Sequence, residues 1–435
     1  MTEIPKPRPQ LRSWRLPGLV LFLLALQVLF PYRGWQVLLV GLAAAWLLAY
    51  LWARSLARGL HLTRVMRFGW VQVGDHMLER FQLANDGWAP AVWAEVIDYS
   101  TLPDYQAGRG VEVGRKQSVR WHVEALCTRR GLYTLGPTSV RTGDPFGLYT
   151  VTLHYPDTLP LLVLPPVVPL PAIEVSPGGK AGDGRPRPNA PERTISVSSV
   201  REYVPGDSLR WVHWRTSARR DDLFVRLFDG VPASDWWILL DMDRHVQLGE
   251  GADATEEHAV ILAASLADKG LQARQAVGLA AYGEQWVTLP PHAGKGQRWS
   301  ILRSLALVSL GWHPLSDLLA GMAPAVGSHT SLVIVTPSVD LVWLESLVRL
   351  MRRGVTPTVL LLDPISFGGK RSSEAMQIHL TDLGVAHYVI TRDVLDRPEA
   401  RPGMQHRWGR PVRGSDQLVP SQSPHEETSW RIVTP

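Results

Sequence analysis

The chain has 435 residues, 45% of them hydrophobic, with a net charge of +5 and an isoelectric point near 9.4, enough for two or three domains and an apolar segment besides. Its positive excess lies beside the N-terminal apolar segments and not along a basic stripe, which argues for a lipid surface and against nucleic acid as a partner. The single cysteine, Cys127, excludes an intrachain disulfide and any cysteine-based zinc cluster, and its apolar-alternating surroundings predict a small buried side chain.

Residues 1–66 read as a cytoplasmic N-terminus, a transmembrane hairpin and a basic juxtamembrane segment. Seventeen uncharged residues separate Arg15 from Arg33 and twenty separate Arg33 from Arg54, each near the length that crosses a hydrocarbon core of about 30 Å. Two spans joined at Pro31-Tyr32-Arg33-Gly34 are expected in place of a cleaved signal peptide, because no small-x-small site follows the first run and a second run arrives at once. Lys6, Arg8, Arg12 and Arg15 precede the spans, Arg54, Arg58, Arg64 and Arg67 follow them, and the loop between holds only Arg33. Both ends are therefore expected in the cytoplasm, making this a multi-pass cell-membrane protein with cytoplasmic soluble domains.

Residues 67–170 contain short alternating runs punctuated by Asn85-Asp86-Gly87, Gly131, Gly136-Pro137 and Gly143-Asp144-Pro145, a pattern that predicts a β-sandwich-like domain. Proline and glycine then dominate, and 171–198 reads as a flexible linker. The densest stretch follows, Arg201 to Phe228. Pro205-Gly206-Asp207 is turn chemistry, and Asp207 is placed to cap a helix from Ser208 through Leu209, Val212 and Thr216. From Leu223 the period becomes two, predicting a strand. Six arginines (201, 210, 215, 219, 220 and 226) sit among Tyr203, Trp211 and Trp214, suited either to tying subdomains together or to gripping carboxylates.

Beyond it, strands are predicted at 236–240, 276–282, 332–336, 356–362 and 386–390. Helices are predicted at 254–269, capped by Asp253, at 297–308 and at 341–353. This alternation predicts an open, mainly parallel α/β sheet over 199–391, with any site at the carboxyl ends of its strands. Residues 392–435 read as a flexible tail.

Asp241 and Asp243 fall at such a strand end and could hold Mg²⁺ through hard oxygens. A strand ending in D-x-D resembles the first motif of haloacid-dehalogenase-type phosphotransferases, yet Leu360-Leu361-Leu362-Asp363-Pro364 offers one later carboxylate where that family needs a pair. The histidines lack pairwise ligand spacing, and phosphate-loop, nucleophile-elbow and dinucleotide fingerprints are absent from the sequence.

Arg201, Tyr203, Gly206, Asp207, Arg210, Trp214, Ala218 and Arg219 resemble the signature of the bacterial and archaeal family called domain of unknown function 58. Arg130-Gly131-x-Tyr133-x-Leu135-Gly136-Pro137 and Asp144-Pro145-Phe146-Gly147-Leu148 carry the resemblance into the sandwich. It implies a two-helix anchor, a β-sandwich and a C-terminal domain similar to von Willebrand factor A. Family members often carry an acidic residue before the signature tryptophan, where this chain has His213. The von Willebrand resemblance implies a metal site of the form D-x-S-x-S, but Asp243 and His245 replace the serines, and Thr336 could be a later partner by position. The family resemblance further implies association with a MoxR-type AAA ATPase and with transglutaminase-like membrane proteins. The expected function is thus a membrane-anchored, non-catalytic interaction or scaffold protein, with the signature gluing domains or docking a partner. The alternative is a metal-dependent hydrolase or phosphatase using Asp241 and Asp243.

Overall fold

The computed structural model describes residues 8–170, 173–178, 197–203, 212–220, 222–228, 235–328, 330–395 and 431–433. The chain divides into two compact units, 1–166 with 397–435, and 167–396.

In the first unit, β1 (Gln10–Leu11) leads into two consecutive helices, α1 (Arg15–Leu29) and α2 (Arg33–Gly59). Among the described helices, α2 alone is long and apolar enough to cross a membrane, and α1 has 15 residues. Leu19, Phe22, Val28, Val37 and Val40 are exposed on them. There follow β2 (Leu60–Met66), β3 (Trp70–Gln72), β4 (His76–Asn85), β5 (Ala91–Asp98), β6 (Arg109–Val113), β7 (Gln117–Leu126), β8 (Gly131–Leu135), β9 (Thr138–Gly143), β10 (Tyr149–Tyr155) and β11 (Leu159–Leu164).

One sheet has the order β1-β10-β9-β5-β6, and β2-β4-β7 forms a second, to whose edge Arg431–Val433 adds. A small third sheet is β3-β11-β8. Period-two burial puts Leu60, Leu62, Phe81, Leu83 and Trp121 from the second sheet against Ala94, Val96, Val140, Val151 and Leu153 from the first, the core of a sandwich. Phe81 and Trp121 stack with centroids 5.4 Å apart. Cys127 is fully buried, as its surroundings predict.

The sandwich begins at Leu60, ahead of Arg67, because α2 runs without a break into β2. Arg64 therefore faces no lipid. It is buried in the sandwich, bonded to Glu79 and, at 2.9 Å, to Asp98.

In the second unit, part of the expected linker is pinned. The amides of Glu174, Ser176 and Gly178 donate to Tyr388 Oη, Thr358 Oγ1 and Ser331 Oγ at 3.0, 3.0 and 2.9 Å. The signature stretch contributes β12 (Val197–Glu202), α3 (Trp214–Arg220) and β13 (Phe224–Phe228). The rest comprises β14 (Trp236–Leu240), α4 (Thr255–Gln272), β15 (Val277–Tyr282), β16 (Trp286–His292), α5 (Lys295–Leu307), α6 (Leu315–Met322), β17 (Ser331–Thr336), α7 (Val342–Arg352), β18 (Thr356–Leu362), α8 (Glu374–Asp382) and β19 (Ala386–Ile390).

The six-stranded sheet runs β16-β15-β14-β17-β18-β19, parallel except for the antiparallel edge β16. Apolar residues of alternate parity bury both faces. Leu239, Ile334, Val359 and Leu361 meet α6, α7 and α8, while Ile238, Leu240, Val333 and Val335 are fully buried on the other side. Strands buried on both faces read as continuous apolar runs, which is why β14 and β18 lie where the sequence predicts them; the half-exposed edge strand β19 also falls at its predicted place. The helix expected from Ala254, capped by Asp253, begins instead at Thr255, with Gly251–Asp253 forming a 3-10 turn ahead of it.

Most of the expected tail, 396–430, lies outside the described residues.

Candidate functional site

The strand order within the α/β sheet, 3-2-1-4-5-6 counted along this unit, reverses between β14 and β17. Ligands of open α/β sheets normally bind at that reversal, outside the carboxyl ends of the strands. Asp241 follows β14 and Thr336 ends β17, so the reversal brings together two residues 95 apart in sequence: Thr336 Oγ1 donates to Asp241 Oδ2 at 2.5 Å. The other oxygen, Asp241 Oδ1, accepts the Asp243 amide at 3.1 Å. The Ser338 amide donates to Thr336 Oγ1 at 2.9 Å, and Gln247 Nε2 donates to the Asp241 carbonyl at 2.8 Å. Asp241 and Thr336 are both buried. Burial pushes the Asp241 carboxyl up to about 6, against the opposing pull of the Thr336 and Asp243 hydrogen bonds.

Asp243 is held by a neighbouring loop. It bridges Gly311, whose amide donates to the Met242 carbonyl and whose carbonyl accepts from the Arg244 amide, both at 2.9 Å. A Cβ on Gly311 would lie 2.1 Å from the Gly283 carbonyl oxygen, so no larger residue fits. Asp243 Oδ1 accepts the His245 amide at 3.0 Å and faces His245 Nδ1 at 3.2 Å. At the rim, the His245 ring tilts against Trp312 with centroids 5.1 Å apart, and the Arg244 guanidinium lies over the same indole. On the loop after β17, exposed Asp340 pairs with Arg371 at 2.6 Å.

These residues do not fit a Mg²⁺ ion. Mg²⁺ demands near-octahedral oxygen donors, whereas both Asp241 oxygens and Thr336 Oγ1 are already engaged by protein groups, and His245 offers nitrogen in place of oxygen. Among the described residues no three His, Cys, Asp or Glu side chains are grouped to hold a metal ion.

The signature residues lie elsewhere in the same unit. Arg201 is in β12, opposite Val225 of β13, and the Tyr203 amide donates to the Leu223 carbonyl at 2.7 Å. Gly206, Asp207 and Arg210 lie outside the described residues. Of the helix expected from Ser208, residues 208–211 lie outside the described residues; Val212 is in a bridge with Val225, and α3 begins at Trp214. His213 occupies the cap: its Nδ1 accepts the Thr216 amide at 3.2 Å and lies 2.7 Å from Thr216 Oγ1. A short acidic side chain would cap the same helix, so His213 meets the demand of that position without a carboxylate. Ser217 Oγ accepts the Phe224 amide at 2.9 Å, bracing α3 on β13. Trp214 is 64% exposed, and Arg215, Ala218 and Arg219 are exposed with it.

The sequence alone leaves Ser338, Gln247 and Gly311 unassigned. Ser338 had a signal, lying two residues beyond Thr336 on the loop that faces Asp241. Gly311 had none, because its role depends on a close approach to Gly283 that spacing does not encode.

The fold and site define a two-unit protein with an apolar N-terminus, in which an α/β sheet carries a hydrogen-bonded Asp–Thr clasp at its strand reversal. Residues 199–366, which contain the signature and the clasp, match the family model described as protein of unknown function DUF58. The uncharacterized protein YeaD of Bacillus subtilis (strain 168) is 29% identical over 192 residues, 44% of this chain and 46% of that one. The chain thus spans about half the length of the curated relative it matches. Among solved structures, an aerotolerance-related membrane protein from Bacteroides fragilis NCTC 9343, with multiple mutations to serines, is 17% identical over 38% of this chain and 96% of its own, with a TM-score of 0.28. A CARDB domain from Pyrococcus furiosus, solved in complex with di-metal ions, is 14% identical over 24% of this chain and 94% of its own, with a TM-score of 0.18.

Proposed function

We propose that this chain is a membrane-anchored, non-catalytic interaction protein that presents α3 to an acidic surface of a MoxR-type AAA ATPase. The display of α3 carries the reading. Trp214 stands exposed beside Arg215 and Arg219, while His213 and Ser217 hold the helix in place beneath them. An exposed tryptophan among guanidinium groups is the composition of an interface hot spot, and arginine forks favour carboxylate partners.

Asp241 supports the non-catalytic part, since its carboxyl is buried and each of its oxygens is already engaged, by Thr336 and by the Asp243 amide. The sheet order and antiparallel edge β16 support a von Willebrand factor A-like assignment in which this clasp stands where a metal site would be. The exposed apolar faces of α1 and α2 support a two-span hairpin, and the arginines flanking it support both ends being cytoplasmic; a transglutaminase-like membrane protein would be a further partner.

The test is co-purification of the full chain with the ATPase from detergent-solubilised membranes. Arg219→Glu should lower recovery sharply while the melting temperature stays at the wild-type value. Equal recovery by the variant would sink the docking role. A phosphatase screen with Mg²⁺ and Mn²⁺ tests the hydrolase alternative, and turnover that disappears in Asp243→Ala would establish it.

A further inference from the structure

Much of α2 is not free to enter a bilayer. Ala49, Ala53, Leu56 and Ala57 are buried in the sandwich core. Trp46 Nε1 donates to Tyr149 Oη at 2.7 Å, and Trp52 Nε1 donates to the Pro90 carbonyl at 3.1 Å. At the root of α1, Leu16 packs on the same core. The length of α2 that projects clear of the sandwich is Arg33–Ala45, 13 residues, or about 20 Å at ~1.5 Å per residue. A hydrocarbon core is about 30 Å thick. To cover it, the span must continue to Trp52, because the 20 residues Arg33–Trp52 reach about 30 Å. The sandwich surface around the helix root then lies in the headgroup layer.

That surface is built for such a place. Phe146 is 57% exposed on the turn Asp144–Leu148, and the turn holds it out: buried Asp144 accepts the amides of Phe146 at 2.9 Å and Tyr149 at 2.5 Å. Gly147 supplies the left-handed φ of +69° that other residues rarely adopt. The Arg12 amide donates to the Leu148 carbonyl at 2.8 Å, tying the entry to α1 to this turn. Trp14, 73% exposed, follows two residues on. Trp88, in the loop beside the docked half of α2, meets Trp52 edge-on at 5.7 Å and is also exposed. Arg15, Arg54 and Arg58 are exposed around the same root. Amphipathic aromatics at headgroup level and arginines reaching for phosphates are the composition of a membrane interface.

Resting on the membrane-anchor reading, we propose that the helix-bearing end of the sandwich, with Phe146, Trp14 and Trp88, is itself immersed in the interfacial layer of an anionic phospholipid bilayer. The Asp-Pro-Phe-Gly-Leu turn is then a lipid-contacting wedge, and the sandwich is seated on the membrane at a fixed depth instead of hanging from a tether.

The test reconstitutes the full chain in vesicles of equal parts phosphatidylcholine and phosphatidylglycerol, with bromine placed shallow or deep on the acyl chains. An environment-sensitive fluorophore is attached at Phe146→Cys, Leu38→Cys or Asp157→Cys. Native Cys127 does not compete, since it is buried and burial pushes its thiol up to about 11. Asp157 lies beyond the far end of β10, whose seven residues carry the chain about 20 Å from Tyr149 to Tyr155 at ~3.3 Å per step. The label at 146 should shift to the blue and be quenched by shallow bromine, the label at 38 by deep bromine, and the label at 157 by neither. If 146 behaves like 157 while 38 is quenched, the anchor stands and the immersed sandwich is refuted. If 38 also escapes quenching, the anchor reading falls and this inference falls with it.

Discussion

Thr336 donates its hydroxyl hydrogen to Asp241 across the point where the strand order of the α/β sheet reverses, at 2.5 Å and out of contact with solvent. The bond joins the ends of two neighbouring parallel strands at the position where related architectures keep a ligand. Thr336→Val keeps the shape and leaves a buried carboxylate oxygen without its donor. That penalty is about 1–3 kcal/mol, so the melting temperature of the full chain in detergent should fall by several degrees. Thr336→Ser should recover most of the loss, which a purely steric role for the threonine methyl would not allow.

The same carboxylate makes stability depend on pH. Burial raises the Asp241 value to about 6 in the folded chain, above the ~3.9 of an unfolded aspartate. The folded state therefore holds a proton that the unfolded state has already released. Stability from this group is complete below about pH 4 and is lost as pH rises through about 6, by on the order of 1–3 kcal/mol. Urea unfolding of wild type and Asp241→Asn from pH 4 to 7 checks it. Wild type should lose stability relative to the variant across that window, and parallel curves would count against the buried, proton-holding carboxyl.

In the sandwich, Arg64 holds two buried carboxylates at once, Glu79 and Asp98, and also donates to Ser100 and Tyr105. Arg64→Ala leaves both acids uncompensated, a loss of about 3–5 kcal/mol for a broken buried pair. Arg64→Lys should recover little, because an ammonium cannot reproduce the fork that reaches both acids. Arg58→Ala, at an exposed position on α2, should unfold at the wild-type urea concentration.

Gly311→Ala tests the support beneath Asp243. The added methyl would collide with the Gly283 carbonyl, displacing the loop whose amide and carbonyl bond Met242 and Arg244. A destabilisation of about 1–3 kcal/mol is expected for forced overpacking, readable as a lower melting temperature. Ala at Gly327, which has open space around it, should be neutral.

How much of this was legible follows from burial. Strands β14 and β18 are continuous apolar runs buried in the sheet, and a run of that kind marks its own limits. Strand β16 escaped because it is an edge whose alternation is interrupted by Pro290-Pro291, and α6 because eight residues give two turns of periodicity. Arg64 read as a juxtamembrane charge because it follows the apolar run in sequence, yet α2 docks on the sandwich before that run ends, so Arg64 falls inside. The clasp was half visible: Asp241 announced itself at a strand end, but Thr336 reaches it only through the strand order, which local spacing does not record. His213 looked like a departure from a pattern until the helix start at Trp214 gave it a capping role.

The central claim, that interaction through α3 and not chemistry at Asp241 is what this chain does, is tested most directly by one comparison. Full-length Asp243→Ala and Arg219→Glu are expressed in membranes, and retention of the AAA ATPase is measured for each beside wild type. Retention by Asp243→Ala with loss in Arg219→Glu is the predicted result. Loss in Asp243→Ala with full retention in Arg219→Glu would contradict the account and move the function to the strand-end carboxylates.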